Sequence, residues 1–212
     1  MQRKQFLHEE IANSIAHGIA ALLSCVALVL LTTRAVTQGN SAAMISGTIL
    51  FGLSLVLLYS ASTLCHALTH KKAKYLFEVL DHCFIFFLIA GTYSPVLLGI
   101  IGGSLGWALF ALVWLVALAG ILMKAIFGPG YRPMLSNLMY LGMGWLIVFA
   151  IGPLVAAMPV DALRWLVAGG LAYSLGVVFF VLDHRFHFAH FVWHLFVVAG
   201  SAAHVVAIYL SL

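Results

Sequence analysis

Residues 188–211, FAHFVWHLFVVAGSAAHVVAIYLS, contain no aspartate, glutamate, lysine or arginine. At roughly 1.5 Å per residue, a helix of that length covers the ~30 Å hydrocarbon core of a bilayer. The stretch reads as a membrane-spanning helix. It decides the fold class, because a chain crossing hydrocarbon must pair its backbone groups within helices or a closed barrel. Inside it, His190 and His194 stand four residues apart and share one helical face. Imidazoles are costly at that depth, so the pair is expected to serve packing, a proton path or a metal ion.

Six further apolar stretches precede it, near residues 12–33, 42–69, 75–98, 105–127, 134–157 and 162–182. Each is long enough to cross a bilayer with some tilt. The connections TQGNSAA, HKKAK, GIIGGSLG, GPGYRP, MPVDA and DHRFHF are too short to hold an extramembrane domain. Strands are not expected, since the runs are too long and do not alternate. Residues 1–212 therefore read as one all-α domain, a polytopic bundle of seven transmembrane helices with a short cytoplasmic N-terminal segment, 1–9.

Composition agrees with this reading. The chain is 64% hydrophobic and 8% charged, against about 25% charged in soluble domains. Its net charge of +4 is spread among loops, so it reads as a topology signal and no nucleic-acid partner is expected. Arg3, Lys4, Lys71, Lys72, Lys74, Lys124, Arg132 and Arg185 fall on one side, and Arg34 and Arg164 on the other. The positive-inside rule then puts the N-terminus in the cytoplasm and the C-terminus outside. Two acids and an asparagine interrupt MQRKQFLHEEIANSIAHG before the long apolar run, so the first span is expected to remain as an anchor. Cys25, Cys65 and Cys83 lack CxxC spacing and read as packing residues.

This topology assigns depths to the polar groups. His66 lies five residues before Lys71, Asp81 seven after Lys74, and His190 and His194 five and nine after Arg185. All four fall in the cytoplasmic halves of their spans, at similar depth. Three imidazoles and a carboxylate match what a catalytic zinc site takes, although spacing alone does not make the helices meet. Ser62 is one turn before His66, placed to hold a water or a substrate carbonyl, or to pack against a neighbouring helix. Glu10, Asn13 and His17 share a face at the start of the first span, as a supporting hydrogen-bond network or as a helix cap. His204 lies about 15 Å beyond His194, too far to share an ion, and reads as a core histidine. His70, His82, His184 and His187 sit near the basic loops and read as interfacial, with His187 an alternative ligand.

EIANSIAH (10–17), SASTLCH ending at His66, LDHCFIFFLIAGTYSP (80–95) and HFVWH (190–194) together resemble the hemolysin III type of bacterial membrane protein, within the progestin and adiponectin receptor family. The resemblance covers essentially the whole chain. It implies a seven-helix bundle with a zinc ion near the cytoplasmic face, held by His66, His190 and His194, with Asp81 reaching it through water. It also implies a distant link to ceramidase-like membrane hydrolases, in which a serine matching Ser62 lies at the site. Hormone binding is not implied, because the receptors' long N-terminal region has no counterpart here.

Three functions compete. In the first, the protein is a zinc-dependent hydrolase of a lipid amide or ester, with Asp81 as general base, Ser62 orienting the carbonyl and membrane lipid as the substrate. In the second, zinc is a structural clasp in a non-enzymatic sensor or regulator of membrane state. The third is a hemolysin-like pore, which ranks lowest because the spans carry no continuous polar stripe or ring of acids. The expected location is the bacterial cytoplasmic membrane.

Overall fold

The computed structural model describes residues 6–212, so Arg3, Lys4 and the first five residues of the N-terminal segment lie outside the described residues. The described chain is helical throughout. Its elements are α1 (Leu7–Thr37), α2 (Ala42–Ala67), α3 (Lys71–Ser94), α4 (Gly103–Phe127), α5 (Pro133–Trp145), α6 (Ile151–Ala157), α7 (Val160–Val181) and α8 (Ala189–Ser211). A wide π-helical stretch, Pro95–Ile101, prolongs α3, and a 3₁₀ segment, Leu146–Ala150, joins α5 to α6. Counting α5 to α6 as one span, seven helical segments are long and apolar enough to cross a membrane, as the hydropathy pattern predicts. Large apolar side chains, among them Leu22, Val26, Val29, Leu115 and Ile126, cover the outer surface. Such a surface belongs in lipid, and the protein is a multi-pass integral membrane protein.

Local chemistry sets the helix ends. The Ser41 hydroxyl accepts from the Met44 amide at 3.2 Å and caps α2. Gly102 and Gly103, with φ of 59° and 57°, turn the chain into α4 at a cost that a side-chain-bearing residue would feel. Pro133 opens α5 at a position where its missing N–H is not needed.

Three boundaries depart from the hydropathy reading. Helix α1 starts at Leu7 rather than near residue 12, because Glu9, Asn13 and His17 are turned inward and buried instead of lying among headgroups. Helix α3 starts at Lys71 rather than near 75, since His70 Nδ1 accepts from the Ala73 amide and caps it. The fifth span is broken. Pro153 lacks an N–H and its ring crowds the carbonyl four residues earlier, which tightens Leu146–Ala150 into 3₁₀ form. The Tyr93 hydroxyl patches this break from α3: it donates to the Gly144 carbonyl at 2.7 Å and accepts from the Ile147 amide at 3.0 Å.

Consecutive helices α1 to α4 pack side by side, α7 pairs with α8, and α8 returns against α1. The span built on α3 is the most enclosed. Where α2 crosses Pro95, a Cβ on Gly47 would lie 2.7 Å from the proline backbone, so glycine permits this close approach. In contrast, α5 and α6 pack lightly on their neighbours, leaving room between α3, α5, α7 and α8.

Candidate metal centre

The histidines come together from helices far apart in the sequence, His66 and His194 being 128 residues apart. His66 is in the last turn of α2, while His190 and His194 are in the first two turns of α8. One ligand atom from each of the three lies within 4.8 Å of the others. His66 Nε2 and His194 Nε2 are 3.1 Å apart. Two nitrogens bound tetrahedrally at the usual Zn–N length would be separated by about 3.3 Å, so the pair is spaced for a shared ion. The ring centroids of His66 and His194 are 5.0 Å apart and those of His190 and His194 4.6 Å apart, with the rings set edge to face.

Carboxylates fix two of these rings. His66 Nδ1 donates to Glu10 Oε2 at 2.8 Å, and His190 Nδ1 donates to Asp183 Oδ2 at 3.3 Å. A carboxylate only accepts, so each bond puts the proton on Nδ1 and leaves the Nε2 lone pair free to ligate. That arrangement of carboxylate, imidazole and vacant nitrogen recurs behind zinc ligands. Glu10 is itself held, its Oε1 receiving Lys74 Nζ at 3.0 Å, while the same ammonium donates to the Cys65 carbonyl. Helices α1, α2 and α3 thus share one polar cluster. The donor set and its spacing fit zinc.

The other anticipated residues take varied places. Asp81 and Ser62 are buried side by side, and Asp81 does not belong to the group of mutually close ligand atoms. The Ser62 hydroxyl makes no hydrogen bond of ordinary geometry. His17 is buried edge-on against His194, with ring centroids 3.8 Å apart, and Asn13 is fully buried one turn before it. His204 Nδ1 donates to the Gly200 carbonyl at 2.8 Å, as a core histidine does. His82 Nδ1 donates to the Glu78 carbonyl, and exposed His187 lies 3.9 Å from Glu9, both away from the three-histidine group.

Two supporting acids escaped the sequence reading. Glu9 Oε1 accepts from the Phe188 amide at 2.6 Å, anchoring the left-handed residue (φ 60°) that starts α8. A non-glycine residue in that region is strained unless its surroundings hold it. Asp183 had no periodic signal, since it lies in the turn between α7 and α8 and the path of that loop, not a helical phase, brings it to His190. Glu9 had none either, because its partner is 179 residues away.

A cavity of about 360 Å³ opens beside this centre. Asp81 and His17 are on its wall near the histidines, and His204 and Thr92 lie farther along it; Leu88, Val197 and their neighbours make most of the rest apolar. It runs between α5 and α7, where those helices pack lightly.

Comparison with known proteins gives a consistent picture. A family model described as Haemolysin-III related matches residues 5–205. Hemolysin-3 of Bacillus cereus is 46% identical over 198 residues, covering 93% of this chain and 89% of that protein. The Hemolysin-3 homolog of Bacillus subtilis (strain 168) is 46% identical over 197 residues, covering 93% and 91%. The human monocyte to macrophage differentiation factor is 34% identical over 172 residues, covering 76% of this chain and 68% of the human protein.

Proposed function

The chain belongs to the haemolysin-III related family, and we propose that it is a zinc-dependent hydrolase of a lipid amide or ester, working near the cytoplasmic leaflet of a bacterial inner membrane. One observation carries the reading: an apolar cavity of about 360 Å³ has Asp81 on its wall, next to three histidines spaced for one metal ion. A structural site needs no such cavity, whereas a hydrolase needs an acyl-sized space ending at its base.

Zinc held by His66, His190 and His194 would supply Lewis acidity and a lowered pKa for water. The chain's own groups do the rest. Glu10 and Asp183 hold the His66 and His190 rings by Nδ1, leaving each Nε2 available as a ligand. An Asp81 carboxylate oxygen takes the proton of the attacking water and returns it to the leaving amine or alcohol. Ser62 steadies the carbonyl oxygen, or holds Asp81 in place. The light packing of α5 against α7 gives a lipid sideways access from the bilayer.

The test is fatty-acid release by zinc-loaded protein in micelles, measured with parallel metal analysis. Near-stoichiometric zinc is expected, lost in His190→Ala and His194→Ala. Asp81→Asn should keep the metal and abolish release; turnover that survives both Asp81→Asn and Ser62→Ala would overturn the assigned roles. A second reading, a zinc clasp in a non-enzymatic regulator, is favoured by the few direct contacts between α2 and α8. It predicts full metal occupancy with no release from any lipid.

A further inference from the structure

We propose that a second cavity, beneath the α4–α5 connection, binds the phosphate headgroup of the amphiphile whose chain fills the apolar cavity, with Lys124 and Asn137 as the recognising groups. The proposal rests on reading the apolar cavity as a lipid site and adds the class of lipid. This second cavity has a volume of about 280 Å³, and His82, Lys124, Ser136, Asn137 and Tyr140 are among its lining residues.

Lys124 is a cation in an unusual setting. It is only 1% exposed, and its Nζ donates to the carbonyls of Pro129 at 2.8 Å and Tyr131 at 2.9 Å. An ammonium has three donors, so one N–H and the whole positive charge are left over. Among the described residues, no carboxylate forms an ion pair with it. Neutral carbonyls offset the cost of burying a charge only in part, and an oxyanion would complete the site.

Asn137 points to the same ligand independently. It is half-buried in α5, inside a membrane span, and its amide makes no hydrogen bond among the described residues. Near the start of α5 and facing a cavity, such an amide is free to donate to a bound group. Ser136 and Tyr140 already spend their protons on the Arg132 and His82 carbonyls. The unused donors of this cavity are therefore an ammonium and an amide, which suit the acceptor-only oxygens of a phosphate.

Position turns an anion site into a headgroup site. Asn137, Tyr140 and Phe180 line both cavities, so the polar chamber and the apolar one adjoin. The polar chamber reaches the loop residues Pro129 and Gly130, at the level where headgroups lie, while the apolar one extends into the bundle as far as Thr92 and His204. A phosphate at Lys124 would leave its chain to pass Asn137 and Tyr140 and run alongside Asp81.

Binding of ether-linked lipids, which lack the acyl bond that the proposed activity would cleave, tests this without reference to turnover. The full chain in micelles is titrated with brominated-chain dialkyl phosphatidic acid, the matching dialkylglycerol and inorganic phosphate, and read by quenching of Trp145 and Trp193, which line the apolar cavity. The phosphatidic acid is expected to bind about tenfold or more tighter than the glycerol, the scale of one charge-assisted hydrogen bond. Lys124→Met and Asn137→Leu should each erase that preference, Lys124→Met while leaving dialkylglycerol affinity unchanged because Lys124 lines only the polar chamber, and Lys124→Arg should restore it. Should Lys124→Met loosen the loop and fail to fold, Asn137→Leu carries the test. Equal affinities in the unaltered protein, or a preference that survives both substitutions, overturn the headgroup site and leave the lipid cavity standing. Failure of either lipid to bind overturns both. Inorganic phosphate that competes as strongly as the lipid would mark a free-anion site and overturn the lipid source.

Discussion

Glu10 has two oxygens and three tasks: it orients His66, receives Lys74, and ties α1 to α2 and α3. Replacing it with glutamine keeps the shape but removes the charge that favours an Nδ1-protonated His66. The expected result is a metal affinity about 10-fold to 100-fold weaker, the usual cost of losing a partner behind a ligand, with the fold retained. Competition against a chelating dye measures this directly, and an unchanged affinity would show that Glu10 is only a packing residue. Asp183→Asn should cost less, because its bond to His190 is longer at 3.3 Å. The sequence made Glu10 legible as a polar residue on a face with Asn13 and His17. It did not make its partner legible, since His66 is 56 residues away and nothing local names it.

The third and fifth spans explain one another. Pro153 breaks the fifth span, and the hydroxyl of Tyr93 in α3 pairs the Gly144 carbonyl and Ile147 amide that the break leaves open. In hydrocarbon no water substitutes for that hydroxyl. Tyr93→Phe is therefore expected to destabilise the protein by about 1–3 kcal/mol, the cost of buried backbone groups left unpaired. Thermal unfolding in micelles would measure the loss, and protection equal to the unaltered protein at Gly144–Ile147 in hydrogen exchange would contradict the role. Hydropathy found both spans, because length and apolarity are summed over many residues. It missed the interruption because Leu146–Ala150 is as apolar in 3₁₀ form as in α form.

For the molecule as a whole, a metal ion held by the three histidines would act as a fastening. His66 is on α2 and the other two histidines are on α8, helices that otherwise meet mainly through Tyr59, whose hydroxyl donates to Ser201 at 2.6 Å. An ion held there binds the folded bundle and not the unfolded chain, so it adds about 4 kcal/mol when present at a thousandfold its dissociation constant. Chelation is expected to lower the unfolding temperature on the order of 10 °C and to raise hydrogen exchange first in α7 and α8. A transition that does not move with chelator would remove the fastening role. By itself the sequence determined that the chain crosses a membrane seven times as helices, since a bilayer admits few other solutions for apolar runs of this length. It also singled out His66, Asp81, His190 and His194, because polar groups at membrane depth stand out against such a background. Only the tertiary structure decided that two helices far apart in the sequence bring three histidines together, that Glu9, Glu10 and Asp183 brace that region, and that two adjoining cavities lie beside it. Those facts depend on which helix faces pack against each other, and that is set by side-chain fit between distant segments rather than by any local pattern.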